Sequence, residues 1–104
     1  MHIIFLRFGP KRTEAGLWMA EHVQWIQQGI DEGVFLVAGS LDNAQGGVVV
    51  AANMESAQVQ RRVAQDPFVI HGVVTAEVHA VAPSLLVRGM AALLDNAKPF
   101  PAAP

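Results

Sequence analysis

The chain has 104 residues, 52% of them hydrophobic and only 15% charged, with a net charge of −2. That length builds one core rather than two, and so large an apolar share calls for self-association to cover it. A pI near 6.0 and seven scattered Lys and Arg residues exclude nucleic acid as the main partner, because phosphate binding needs a basic stripe.

"HIIFLRF", His2 to Phe8, is rich in branched and aromatic residues and is stopped by Gly9-Pro10, so it reads as a strand. Thr13 then offers a helix N-cap, with Glu14 in the first turn. Met19, Val23, Ile26 and Ile30 recur at helical spacing and predict the buried face of a helix ending near Gly33. "VFLVAGSL", Val34 to Leu41, is a second strand. The polar segment "DNAQGG" turns it into a third, "VVVAAN", as an antiparallel hairpin. Glu55 and Ser56 open a second helix with Val59 and Val63 on one face, and Pro67 stops it near Asp66. A fourth strand follows Gly72. A last helix from Ser84 carries Leu86, Met90 and Leu93 on one face, and the Pro- and Ala-rich end reads as a frayed tail.

The order β-α-β-β-α-β is the ferredoxin-like split βαβ pattern, an α+β fold with a four-stranded antiparallel sheet. Residues 1–83 form that domain, 84–97 an extra C-terminal helix and 98–104 the tail. Two helices cover one sheet face. Along the first strand Ile3 and Phe5 point one way and Ile4, Leu6 and Phe8 the other, and "VVVAA" is apolar on both sides. A water-facing sheet surface alternates with polar residues, so the open face is expected to pack on a second copy.

No apolar run approaches the ~18 residues of a membrane span, and the first residues lack the pattern of a signal peptide. With no cysteine in the chain, the expectation is a soluble, cytoplasmic protein without disulfides or thiol chemistry. The histidines lack metal-motif spacing. Gly46-Gly47 reads as a hairpin turn, because a strand rather than a helix follows it, so no phosphate loop is expected. Neither a metal nor a cofactor is called for.

His22 lies about 70° from the centre of the Met19–Ile30 stripe, on the shoulder of the buried face. A border histidine with one hydrogen bond accounts for it; so does one half of an acid/base unit. Asp66 has the same two readings, since Asp-Pro is a common helix breaker. Both helices lie on one sheet face, so the end of the second can approach the first, and a carboxylate that orients an imidazole makes a general acid/base pair. Ser40 lacks a nucleophile elbow, but its hydroxyl and the backbone beside Gly39 can bind a polar ligand group. Trp18, Trp25 and Phe68 serve either the core or a ligand pocket.

The segments "EHVQWIQQGIDEGVFLVAGSL", "GGVVVAANMESAQVQRRVAQDPF" and "GVVTAEVHAVAP", in that order, resemble the YCII-related (YciI-like) family over roughly residues 2 to 83. The resemblance implies a homodimeric α/β barrel whose sheets pack face to face. It also implies a pocket with a His–Asp catalytic pair falling on His22 and Asp66; Gly39, Ser40, Trp25 and Phe68 are the residues expected, from the reading above, to bind the ligand. The likeness to muconolactone-isomerase-like folds implies cofactor-free proton-transfer or elimination chemistry on a small cyclic, phenolic or lactone-like acid. Many members have Ala-Gly-Pro where this chain has Ala38-Gly39-Ser40, which alters the pocket lip. A lyase or isomerase is one expectation; a non-catalytic ligand-binding or accessory dimer is the other. A purely structural assembly domain would need the cavity filled by side chains.

Overall fold

The computed structural model describes residues 1–94. Four strands, β1 (His2–Phe8), β2 (Phe35–Ser40), β3 (Gly46–Ala51) and β4 (Val74–Ala80), form one sheet in the order β2-β3-β1-β4. All three pairings are antiparallel. The helices are α1 (Ala15–Asp31), α2 (Ser56–Val63) and the single turn α3 (Pro67–Ile70). This is the expected ferredoxin-like arrangement, in which β1 and β2 flank β3 and the helices share one face.

Alternation along the strands assigns the two faces. Ile4, Leu6, Val49, Ala51 and Phe35 are buried beneath the helices with Val59, Val63 and Trp25. The opposite face carries Ile3, Phe5, Val48 and Val50 at its centre, in register with one another, and Val37, which is 55% exposed. That face is not apolar throughout, as the sequence suggested. On β4 its residues are Thr75, Glu77 and His79, paired with Arg7, Phe5 and Ile3. Glu77 contacts His79 at 2.7 Å and Arg7 at 3.5 Å. The His79 hydrogen bond, aided by the Arg7 charge, holds the Glu77 carboxyl below its usual range.

The helix stripe differs from expectation. Met19, Val23 and Ile30 are 43%, 51% and 41% exposed. The side facing the core runs through His22, Trp25 and Gly29, and Trp25 and Gly29 are buried. Gly29 explains the choice: a Cβ there would lie 2.1 Å from Cδ2 of Phe35, so the helix rests directly on a buried ring. Arg62 of α2 holds the same corner. Its carbonyl accepts from Trp25 Nε1 at 3.0 Å, and its guanidinium meets Glu32 at 2.7 Å.

Other boundaries also moved. Thr13 does not cap α1; it lies inside a 3-10 turn, Arg12–Glu14, and Glu14 is the N-cap with no side-chain bond. Gly46 and Gly47 begin β3 rather than making the turn. Asn43 and Ala44 take the left-handed conformation there instead. Glu55 caps α2 in a reciprocal capping box with Gln58. The helix expected from Ser84 does not form within the described residues: only a 3-10 turn, Met90–Leu93, is present. Gly89, at φ +91°, breaks the helical spacing just before it. The rest of that expected extension and the tail fall outside the described residues.

His2 lies on the covered face, 6% exposed, with Nε2 3.0 Å from Ser56 Oγ. Its Nδ1 is buried without a partner among the described residues. A ring that donates from Nε2 leaves only a lone pair buried there, whereas a ring that activates Ser56 would bury an unpaired N–H. The packing therefore favours Ser56 as the acceptor of this hydrogen bond. Burial, and then the positive N-terminal amine, push the His2 pKa below 6.5.

Two measurements follow from this packing. Gly29→Ala gains about 0.5–1 kcal/mol of helix propensity but overpacks Phe35 at about 1–3 kcal/mol. A lower urea midpoint with an unchanged slope is expected; a higher midpoint would show that the Phe35 ring yields freely. For His2, the folded form binds its proton less readily than the unfolded form. Its contribution to stability is therefore complete above pH 6.5 and falls as pH drops below that value. Melting temperatures over about pH 5 to 8 should decline more on the acid side for the parent than for His2→Gln.

Candidate functional site

The helix α2 ends at Val63 and is capped at Ala64. Asp66 then sits in extended conformation as the N-cap of α3, with Pro67 in the first helical position. That position suits proline, which has a fixed φ and no N–H to leave unpaired. "DP" thus opens a helix here, where the sequence was read as closing one. Asp66 Oδ1 accepts from the Phe68 amide at 3.0 Å, and its carbonyl takes the amides of Val69 and Ile70 at 2.9 Å each.

His22 Nδ1 lies 2.7 Å from the same Oδ1. The Asp66 side chain has no exposed surface and that of His22 keeps 12%. Phe68 stacks on the imidazole with centroids 3.9 Å apart and planes within 7°. The ring is fixed in position by the carboxylate and in plane by the phenyl. A carboxylate facing Nδ1 selects the tautomer with the proton on that nitrogen, so the neutral ring carries its free lone pair on Nε2. Both predicted partners are brought together, across 44 residues of sequence.

His22 opens onto a cavity of about 420 Å³ between α1 and the sheet. Leu6, Phe8, Met19, Val23, Ile26 and Phe68 make most of its apolar wall, and Gly39 and Ser40 line the β2 side. Among the described residues His22 is the only titratable one in the lining. A small, apolar pocket with a few polar groups is the usual form of a small-molecule site. Ser40 and Ala38 sit on the covered side of the sheet, opposite Gly47 and Val49 of β3, and both line the cavity, as the strand period requires.

Of the expected ligand contacts, Trp25 is placed elsewhere. It is 7% exposed, packs edge-on to Phe35 and spends its indole N–H on the Arg62 carbonyl. Sequence reasoning missed Met19, Val23 and Ile26 as pocket wall, because helical spacing does not distinguish a core from a cavity. It also missed a second stacked pair: Trp18 and His71 lie 3.5 Å apart, 6° from parallel. Among the described residues no group of three or more His, Cys, Asp or Glu side chains could hold a metal ion, and no helix is long and apolar enough to cross a membrane.

The fold is similar to that of 5-chloro-2-hydroxyhydroquinone dehydrochlorinase from Burkholderia phenoliruptrix AC1100, solved in complex with 2,5-dihydroxybenzoquinone. The match has a TM-score of 0.66 at 15% identity and covers 77% of this chain and 91% of that one. At that identity the likeness speaks for the fold. No curated protein matches the chain. The YCII-related domain matches residues 2–81, a span that holds all four strands and both sides of the His22–Asp66 contact, and by that match the chain belongs to the YCII-related family.

Proposed function

We propose that the protein is a cofactor-independent lyase or isomerase acting on a small cyclic or phenolic acid. The observation that carries this reading is the 2.7 Å contact between His22 Nδ1 and the buried Asp66 carboxylate, on a ring that opens into an apolar cavity. Nε2 takes a proton from a ring hydroxyl or an acidic ring carbon. Asp66 stabilises the imidazolium that forms, and the Ser40 hydroxyl binds a substrate oxygen. The released electron pair moves through the ring. It either expels a leaving group, as in elimination, or recovers the proton from His22 at another atom, as in isomerisation. The structural neighbour's dehydrochlorinase activity and its quinone ligand agree in kind with such chemistry.

Removing the imidazole outright would strand Asp66, and a buried carboxylate without its partner costs about 3–5 kcal/mol. His22→Asn is the better test, since its amide can still donate to Asp66 while no base remains. Turnover of a halogenated or hydroxylated hydroquinone should fall by about 10²–10⁴ in kcat, with the fold intact by circular dichroism. Asp66→Asn keeps an acceptor for the Phe68 amide and should lose activity with little change in KM. Undiminished turnover in His22→Asn would overturn the assignment. Ligand binding by both variants, with no turnover by the parent on any such substrate, would instead identify a binding protein.

The open sheet face completes the proposal. Ile3, Phe5, Val37, Val48 and Val50 make a continuous apolar strip on it, and a second copy packed by two-fold symmetry would cover it. Val50→Asp should then convert a dimer to a monomer in sedimentation velocity. A parent that sediments as a monomer would remove this part of the reading.

A further inference from the structure

Arg12 reads from sequence as an exposed turn charge, and the structure gives it a more particular place. It lies in the 3-10 turn between β1 and α1. Its Nη2 donates to the Ala44 carbonyl at 3.0 Å, across 32 residues of sequence. Its Cζ stands 5.0 Å from the centroid of the Phe8 ring. Phe8 and Ala44 both line the His22 cavity. The guanidinium therefore bridges the β1–α1 connection and the β2–β3 turn at the edge of the pocket.

Two further observations give that position meaning. No carboxylate pairs with Arg12 among the described residues: the ion pairs there involve Arg7, His22, Arg62 and His79. Among the described residues its charge meets a carbonyl oxygen and a ring face and is otherwise open to solvent, so most of its five N–H donors remain for a ligand. In addition, among the described residues the cavity lining contains no Lys or Arg. From the rim a row of rings leads to the base. Phe8 lies 6.4 Å from Phe68, and Phe68 lies 3.9 Å from His22.

We propose that Arg12 is the specificity-determining residue for the acidic group of the ligand. A carboxylate or phenolate oxygen would exchange with the Ala44 carbonyl as the guanidinium's partner, leaving the ligand's ring against Phe8 and Phe68 and its far side toward His22 Nε2. The inference rests on the His22 cavity being the ligand site. It adds that the pocket distinguishes charged rings from neutral rings of the same size, through a planar donor that an ammonium would replace poorly. Arg12 touches the non-reacting end of the ligand, so it governs binding rather than proton transfer.

The test compares two probes of similar ring size by isothermal titration of the full chain. One is 2,5-dihydroxybenzoquinone, whose vinylogous acid hydroxyls are ionised at neutral pH; the other is neutral hydroquinone. Arg12→Gln should weaken the anion by about tenfold and leave hydroquinone within about twofold, while Arg12→Lys should fall between. Raising the salt concentration should weaken the anion for the parent more than for Arg12→Gln. If Arg12 were only a tether for the Ala44 turn, Arg12→Gln would affect both probes alike or neither, and the inference would be lost with the His22 reading untouched. A parent that binds neither probe would overturn both.

Discussion

A carboxylate with no exposed surface, as at Asp66, is expensive unless every approach to it is answered by a donor. The structure answers at Oδ1, with the Phe68 amide and the His22 imidazole both on that one oxygen, while Oδ2 is buried without a hydrogen-bond partner among the described residues. Through Oδ1 α1 is tied to the one-turn α3, and Asp66, the last residue of the α2–α3 link, is fixed in extended conformation. A four-residue helix cannot hold itself in water. Here it forms because Asp66 caps it, Pro67 presets its first φ and Phe68 is buried beneath it. The same residues that build the local structure aim the imidazole.

The cavity follows from how α1 meets the sheet. At its C-terminal half the helix is pressed onto Phe35, close enough that residue 29 has no room for a side chain. Toward its N-terminal half Met19, His22 and Val23 line open volume instead. The helix and sheet thus diverge from the Gly29 corner, and the space between them widens toward the β1–α1 and β2–β3 connections. Packing that is tight at one end and loose at the other holds the pocket open between helix and sheet.

Much of this was legible in the sequence because strands announce themselves by stop signals and alternation. The Gly9-Pro10 stop, the "DNAQGG" turn and the split order placed the sheet, and the shared sheet face allowed Asp66 to approach His22 without fixing the contact. What failed did so for physical reasons. The helix stripe was read from aliphatic residues, yet the face packed inward is built on an indole, an imidazole and a glycine. Trp25 could have faced a ligand or a carbonyl, and only the position of Arg62 decides between them. The turn took its left-handed residues from Asn43 and Ala44 although two glycines stood beside them. Leu86, Met90 and Leu93 have helical spacing, but the Gly89 conformation interrupts it.

The Phe68 residue carries two duties at once, its amide on Asp66 and its ring on His22. Undocking of α3 therefore cannot loosen the carboxylate while sparing the imidazole; orientation and packing are lost together. The site is in effect a single cooperative unit, assembled or not. Its state is written in one backbone proton, so the exchange protection of the Phe68 amide measures how often the site is intact, without substrate and without knowing the reaction.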